Sequence, residues 1–164
     1  MRIVLVRHGK AKNDRLTSLG KHQVKILIKQ LKKFNFNQVI CSSKQRCVQT
    51  AQIISKSLNL PLIKEQRLEE RYQLEHLPQT TEEHLWWDNY LNIEFSSTLP
   101  DDCASFLKRN FEVFNEQIEQ SNNKDVLIIA HSATSYALLN YITKQKTVSW
   151  QEIGFANYVC YEVN

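Results

Sequence analysis

Three short apolar runs, Ile3–Val6, Val39–Cys41 and Val126–Ala130, constrain the fold of this 164-residue chain more than any other feature. Each is short, continuous and rich in β-branched residues, so each predicts a strand buried on both faces. The stretches between them have helical spacing instead. Leu19–Phe34 places Val24, Leu27, Leu31 and Phe34 on one face, and Gln45–Leu58 does the same with Cys47, Ala51, Ile54 and Leu58. Asp102–Gln120 turns Leu107, Phe111, Phe114 and Ile118 inward, and a further helix is predicted from about Ala133 to Ile142. Pro61 stops the second helix, Leu62–Lys64 reads as another strand, and Phe155–Val163 alternates enough to be a closing strand.

Strands alternating with helices predict an α/β fold, a three-layer sandwich with a mainly parallel central sheet and helices on both faces. The length fits one domain spanning residues 1–164, and there is no internal repeat or linker. Leu68–Pro100 is the least regular stretch, with two prolines, the pair Trp86-Trp87 and a short helix expected around Thr81–Tyr90. It is read as an insertion (residues 68–100) over the edge of the sheet where a ligand would bind.

Three glycines and three prolines exclude collagen-like and low-complexity architectures. No apolar run approaches the ~20 residues of a membrane span, and Ile3–Val6 is too short for a signal-peptide core, so a cytoplasmic protein without membrane contact is expected. The cysteines at 41, 47, 103 and 160 form no CxxC pair. They predict neither a metal site nor a disulfide framework, and the apolar surroundings of Cys41 and Cys160 predict small buried residues.

Charge is distributed unevenly. Residues 1–46 carry 12 Lys and Arg against a single acid, Asp14, whereas the whole chain has a net charge of only +4. Such a basic third can steer an anion inward. Lys21, Lys25, Lys29 and Lys32 recur at helical spacing and read as a solvated helix face. That reading does not account for Arg7 and Arg46. No aromatic stacking platform accompanies the basic residues, so nucleic-acid binding is not expected.

Chemistry concentrates where the three apolar runs end. Ile3–Val6 leads into Arg7-His8-Gly9, Val39–Cys41 into Ser42-Ser43 and then Arg46, and Val126–Ala130 into His131-Ser132. In an open parallel sheet the carboxyl ends of the strands share one edge, and ligands bind there. If the three strands are parallel neighbours, two histidines and two arginines converge. Helices that start directly after the second and third turns add backbone N–H groups for an anion. Arginine's planar fork matches phosphate oxygens, and histidine can act as a covalent nucleophile. Fixed cations can carry the charge a metal would otherwise hold, so no metal or other cofactor is called for.

These residues resemble the signature of the histidine phosphatase superfamily, also called phosphoglycerate mutase-like. The resemblance begins with Arg7-His8-Gly9 after the first strand and covers most of the chain. Leu16-Thr17-Ser18-Leu19-Gly20 with Gln23 resembles the family's LTxxG…Q helix start, and Ser42 to Ala51, read as SxxxRxxQTA, resembles the segment with the second arginine. Leu68-Glu69-Glu70 resembles the LxE segment that carries an acid. His131 falls on the second-histidine strand, and Asn157 falls near the last strand, where the family often has Asn.

The resemblance implies His8 as nucleophile, forming a phosphohistidine that water then hydrolyses. It implies Arg7, Arg46 and His131 as the phosphate pocket and Glu70, rather than Glu69, as the acid that protonates the leaving oxygen. A salt bridge from Glu70 to Arg67 or Arg71 is the alternative role. The chain departs from the pattern in three places. Ser132 stands where members often have Gly after the second histidine, and the Gly expected shortly after the acid is absent. Asp14 replaces the Asn that many members carry six residues after the nucleophile. Asp14 is therefore expected to point away from the phosphate, or Asn13 to take its place, and Asn13 and Ser132 join the candidate pocket.

The implied activity is a metal-independent phosphatase acting on a small phosphorylated substrate. Alternatives are a phosphohistidine protein phosphatase, a mutase-type phosphotransferase and a catalytically silent scaffold of the same fold.

Overall fold

The computed structural model describes residues 1–70, 101–143 and 153–162. The insertion core around Trp86-Trp87, the short helix near Thr81–Tyr90 and Arg71 lie outside the described residues.

The chain opens with strand β1 (Arg2–Arg7) and a small antiparallel hairpin, β2 (Ala11–Lys12) and β3 (Arg15–Leu16), followed by helix α1 (Ser18–Leu31). Then come β4 (Phe36–Ser42), α2 (Gln45–Leu58), β5 (Leu62–Glu65) and a single 3-10 turn over Gln66–Leu68. Helix α3 (Asp101–Glu119), β6 (Asp125–Ala130), α4 (Ser132–Thr143) and β7 (Tyr158–Glu162) complete the described residues. Boundaries differ from the sequence reading by a residue or two at most ends. Three ends move by three residues: α1 stops at Leu31 rather than Phe34, β4 starts at Phe36 rather than Val39, and the last strand starts at Tyr158 rather than Phe155.

The five-stranded sheet has the order β5-β4-β6-β1-β7. β6 pairs in parallel with β1 on one side and β4 on the other, β5 pairs in parallel with β4, and β7 closes the edge antiparallel to β1. The three chemistry-bearing strands are thus adjacent and parallel, and their carboxyl ends share one edge.

Alternation along each strand feeds two cores. Val4, Val6, Val39, Cys41, Leu127 and Ile129 face α1 and α2, meeting Val24, Leu27, Leu31, Val48, Ala51 and Ile54. Ile3, Leu5, Ile40, Val126 and Ile128 face the other way, onto Val113 and Phe114 of α3 and Leu138 of α4. Helices cover both faces, which completes the three-layer sandwich. The lysines of α1 are exposed, as their spacing predicts. Cys41 is buried, but Cys160 is exposed, contrary to the sequence expectation. Its strand lies at the sheet edge, where apolar neighbours in sequence do not guarantee cover.

Two glycines let backbones touch next to the first histidine. A Cβ on Gly9 would stand 2.8 Å from the Gly20 carbonyl oxygen, and one on Gly20 would collide with the Lys10 carbonyl. Thr17 caps α1 by accepting from Gly20 N–H at 3.0 Å, and its hydroxyl donates to Lys10 O at 3.1 Å. Gln23 accepts from Lys10 N–H at 3.0 Å. The residues of the LTxxG…Q segment therefore fix the loop that follows His8.

Candidate active site

His8 leaves the end of β1 with its backbone N–H on Ala130 O at 3.1 Å. Its Nδ1 lies 2.8 Å from Gly9 O. A carbonyl only accepts, so Nδ1 carries the proton and Nε2 keeps a lone pair. Arg46 Nε donates to that Nε2 at 3.1 Å. Burial pushes the His8 imidazole down to a pKa of about 4, and the nearby charges of Arg46 and Arg7 act in the same direction. At neutral pH His8 is an uncharged ring whose Nε2 lone pair is held by the Arg46 guanidinium.

His131 ends β6 fully buried, and its carbonyl accepts from Ser135 N–H at 2.9 Å in the first turn of α4. Its ring lies edge-on to His8, with centroids 5.5 Å apart. Arg46 Nη2 is 3.2 Å from Nδ1 and Ser42 Oγ is 2.8 Å from Nε2. Because a guanidinium only donates, Nδ1 is the acceptor, so Nε2–H donates to Ser42. Burial, reinforced by Arg46, holds this histidine well below its ordinary pKa. The Cys47 thiol donates to Ala130 O at 3.5 Å and lies against both ring nitrogens, at 3.6 and 3.8 Å.

Arg46, in the first turn of α2, links these groups. Besides the two histidines it binds Asp14, with Nη1 to Oδ1 at 2.7 Å. Thr50 ties the two motif loops together, its hydroxyl donating to Arg46 O at 2.7 Å and accepting from Gly9 N–H at 3.2 Å. Arg7 points its Nη1 at Ile153 O, 3.0 Å away, and lies 4.1 Å over the Phe155 ring. Its Nε is buried without a partner.

Glu70 brings a carboxyl group to the same place. Its Oε2 is 3.6 Å from His131 Nδ1, beyond hydrogen-bond length, and its Oε1 is buried and unpartnered. Burial raises the carboxyl to about 7, only partly offset by Arg46, Arg7 and the Ala133 N–H. Glu69 points elsewhere, to the Ser43 hydroxyl and to Lys44 Nζ at 3.1 Å. Arg67 binds Glu65 at 2.8 Å and Glu116 at 2.7 Å, so a Glu70–Arg67 salt bridge does not form. Arg109 donates to the carbonyls of Arg67 and Glu69 and so holds the segment that delivers Glu70.

The structure therefore brings together Arg7, His8, Arg46, Glu70 and His131. Ser132 is beside them, with its Oγ buried and unpartnered at the start of α4. Asn13 is not among them. It is exposed in the turn of the β2–β3 hairpin, where both it and Asp14 have positive φ, 49° and 56°. Asp14 does the opposite of what was expected. Instead of pointing away, it faces the site, because the tight left-handed turn aims its carboxylate at the start of α2, where two N–H groups and the Arg46 guanidinium await it. Among the described residues no group of three or more His, Cys, Asp or Glu is placed to hold a metal ion, and no helix is long and apolar enough to cross a membrane.

Residues 3–164 match the sequence profile of the histidine phosphatase superfamily, branch 1. The chain belongs to that superfamily. It is 29% identical over 155 residues to PhoE of Bacillus subtilis, named as an uncharacterized phosphatase, covering 86% of this chain and 77% of the relative. Its fold is that of Bacillus stearothermophilus YhfR, with a TM-score of 0.73 at 19% identity over 99% of this chain and 91% of the other. A mycobacterial glucosyl-3-phosphoglycerate phosphatase in complex with VO3 gives a TM-score of 0.72 at 17% identity, covering 97% and 91%.

As a histidine phosphatase, the protein is a phosphoric monoester hydrolase. Sequence reasoning about this histidine phosphatase missed Asp14, Cys47 and Phe155 as neighbours of the reactive groups. Asp14 had a readable signal, being the lone acid among 12 bases. Cys47 and Phe155 had none, since their proximity to His131 and Arg7 arises from packing alone.

Proposed function

We propose that the protein hydrolyses a phosphomonoester of a small molecule through a phosphohistidine at His8, without a metal. The observation that carries this reading is the pairing of a neutral His8, unprotonated at Nε2, with a buried Glu70 whose carboxyl sits near pH 7. Arg7, Arg46, His131 and Ser132 hold the phosphoryl oxygens. Nε2 of His8 attacks phosphorus, the bond from phosphorus to the ester oxygen breaks, and the Glu70 proton goes to that oxygen, releasing an alcohol. Glu70, now a carboxylate, takes a proton from a water that attacks the phosphohistidine. The P–N bond breaks, inorganic phosphate forms, and His8 Nε2 and the Glu70 proton are restored. The charge that builds on phosphorus is met by guanidinium groups already in position.

A buried acid favours ester substrates over protein phosphohistidine, whose leaving group needs less help from a proton. The test is a chemical trap. Enzyme quenched during turnover in EDTA should carry a phosphate that survives base and is lost in acid. His8→Ala should fold, carry none and turn over nothing. Turnover at the wild-type rate in His8→Ala, or a requirement for added metal, ends this reading.

A further inference from the structure

Asp14 is a carboxylate held at the edge of a site built for an anion, and the proposed chemistry does not use it. Its two oxygens are occupied from three directions. Oδ2 accepts from Gln45 N–H at 3.0 Å, and Oδ1 accepts from Arg46 N–H at 3.5 Å and Arg46 Nη1 at 2.7 Å. Lys44, the residue in the capping position of α2, makes no side-chain cap hydrogen bond. The cap comes instead from 31 residues upstream. The hairpin that carries Asp14 is itself fastened to α2, through Leu16 N–H on Gln49 Oε1 at 2.8 Å.

This arrangement has two effects of opposite sign on an incoming phosphate. Arg46 has five N–H donors, and its contacts to Asp14, His8 and His131 fix its plane before any ligand arrives. A preset plane favours binding, because little side-chain freedom remains to be lost. The Asp14 charge opposes it. It reduces the two guanidinium charges of Arg7 and Arg46 to a single net positive charge, and it occupies one arm of the fork that would otherwise grip phosphate with both. Asp14 is also partly open to solvent, with 38% of its side chain exposed, so water screens it without cancelling it.

We infer that Asp14 is a positioning residue that orients Arg46 while limiting how tightly the site retains phosphate, so that product leaves readily. The inference rests on the phosphatase reading of the site, and it separates two properties of one side chain, its tether and its charge. Asparagine keeps one carbonyl oxygen for the two Arg46 donors, gives up the Gln45 contact because its NH2 cannot accept, and removes the charge. Alanine removes both.

The experiment is competitive inhibition by inorganic phosphate, with direct phosphate binding by calorimetry, on the wild type, Asp14→Asn and Asp14→Ala. Asp14→Asn should bind phosphate more tightly by roughly five- to twentyfold, the size expected for one partly screened charge across a guanidinium, with KM falling alongside. Asp14→Ala should lose kcat and melt several degrees lower, because helix cap and tether are both gone. A purely structural Asp14 would weaken phosphate binding in both variants. Phosphate binding in Asp14→Asn that is equal to or weaker than in the wild type overturns the inference and leaves the phosphatase reading standing. No phosphate binding by any of the three proteins removes both.

Discussion

Arg46 Nε lies 3.1 Å from His8 Nε2, so the cation that would hold the phosphoryl group touches the nitrogen that would attack it. This contact suppresses protonation of His8 and must yield as Nε2 turns to phosphorus. It also means that Arg46 cannot be exchanged for another cation without disturbing three partners at once.

Arg46→Lys is therefore expected to be costly although charge is kept. Lysine places a single point charge and cannot contact Asp14, His8 and His131 together. The expected loss in kcat/KM is about 10²-fold or more, from binding and rate together, since misplacement of such a group by about an ångström is enough for that effect. Steady-state kinetics on the purified variant checks this, and wild-type kcat/KM would take Arg46 out of the pocket.

Glu70→Gln should discriminate between leaving groups. An alkyl phosphate should slow by roughly 10²–10⁴-fold, whereas p-nitrophenyl phosphate, whose leaving group departs without a proton, should change far less. The pH dependence follows from the buried carboxyl near 7. The acid works in its protonated form, so kcat/KM for the alkyl ester should fall as pH rises through about 7, and Glu70→Gln should lose that limb. Equal slowing of both esters would assign Glu70 a structural role and revive the phosphohistidine phosphatase alternative.

Asp125 should matter for stability and not for catalysis. It stands at the opposite end of β6 from His131, accepting from Arg2 N–H at 2.9 Å, Arg2 Nη2 at 2.7 Å and Asn35 N–H at 2.8 Å. Burial pushes its carboxyl up, but those donors outweigh burial and hold it below its ordinary value. A group with a depressed folded pKa stabilises the protein above its unfolded value, about 3.9, and loses that contribution as pH falls through the folded one. Asp125→Ala should cost roughly 2–3 kcal/mol at pH 7. The gap from wild type should narrow as pH falls below about 3.9, and kcat at permissive temperature should be unchanged. Denaturant melts at both pH values, with one activity assay, test all three points.

The parallel neighbours β1, β6 and β4 were legible because the apolar runs leading into Arg7-His8, Ser42 and His131 are all short and share a kind of ending. Once those strands are adjacent, the convergence of His8, Arg46 and His131 follows from sheet geometry. Glu70 was legible only through motif position, since nothing in its local sequence says that it is buried. The direction of Asp14 was not legible. It depends on two consecutive left-handed residues and on a helix start 31 positions away, and a propensity for turns at Asn13-Asp14 does not say where the turn points. Cys160 misled because apolar sequence neighbours resemble a core strand and an edge strand alike.

The order β5-β4-β6-β1-β7 sets a timetable for the chain during synthesis. β1 and β4 are complete by residue 42, yet they never pair with each other, because Asp125–Ala130 must slide between them. For more than eighty residues of translation, two apolar strands wait with open edges, the condition in which chains most readily pair with the wrong neighbour. His131 emerges directly after the strand that fills the gap, so the second histidine arrives as β1 and β4 are joined through β6, while β7 has still to cover the other edge of β1. A nascent chain shorter than that lacks the second histidine of the candidate site, and its two unpaired strands are the part of the fold most open to aggregation.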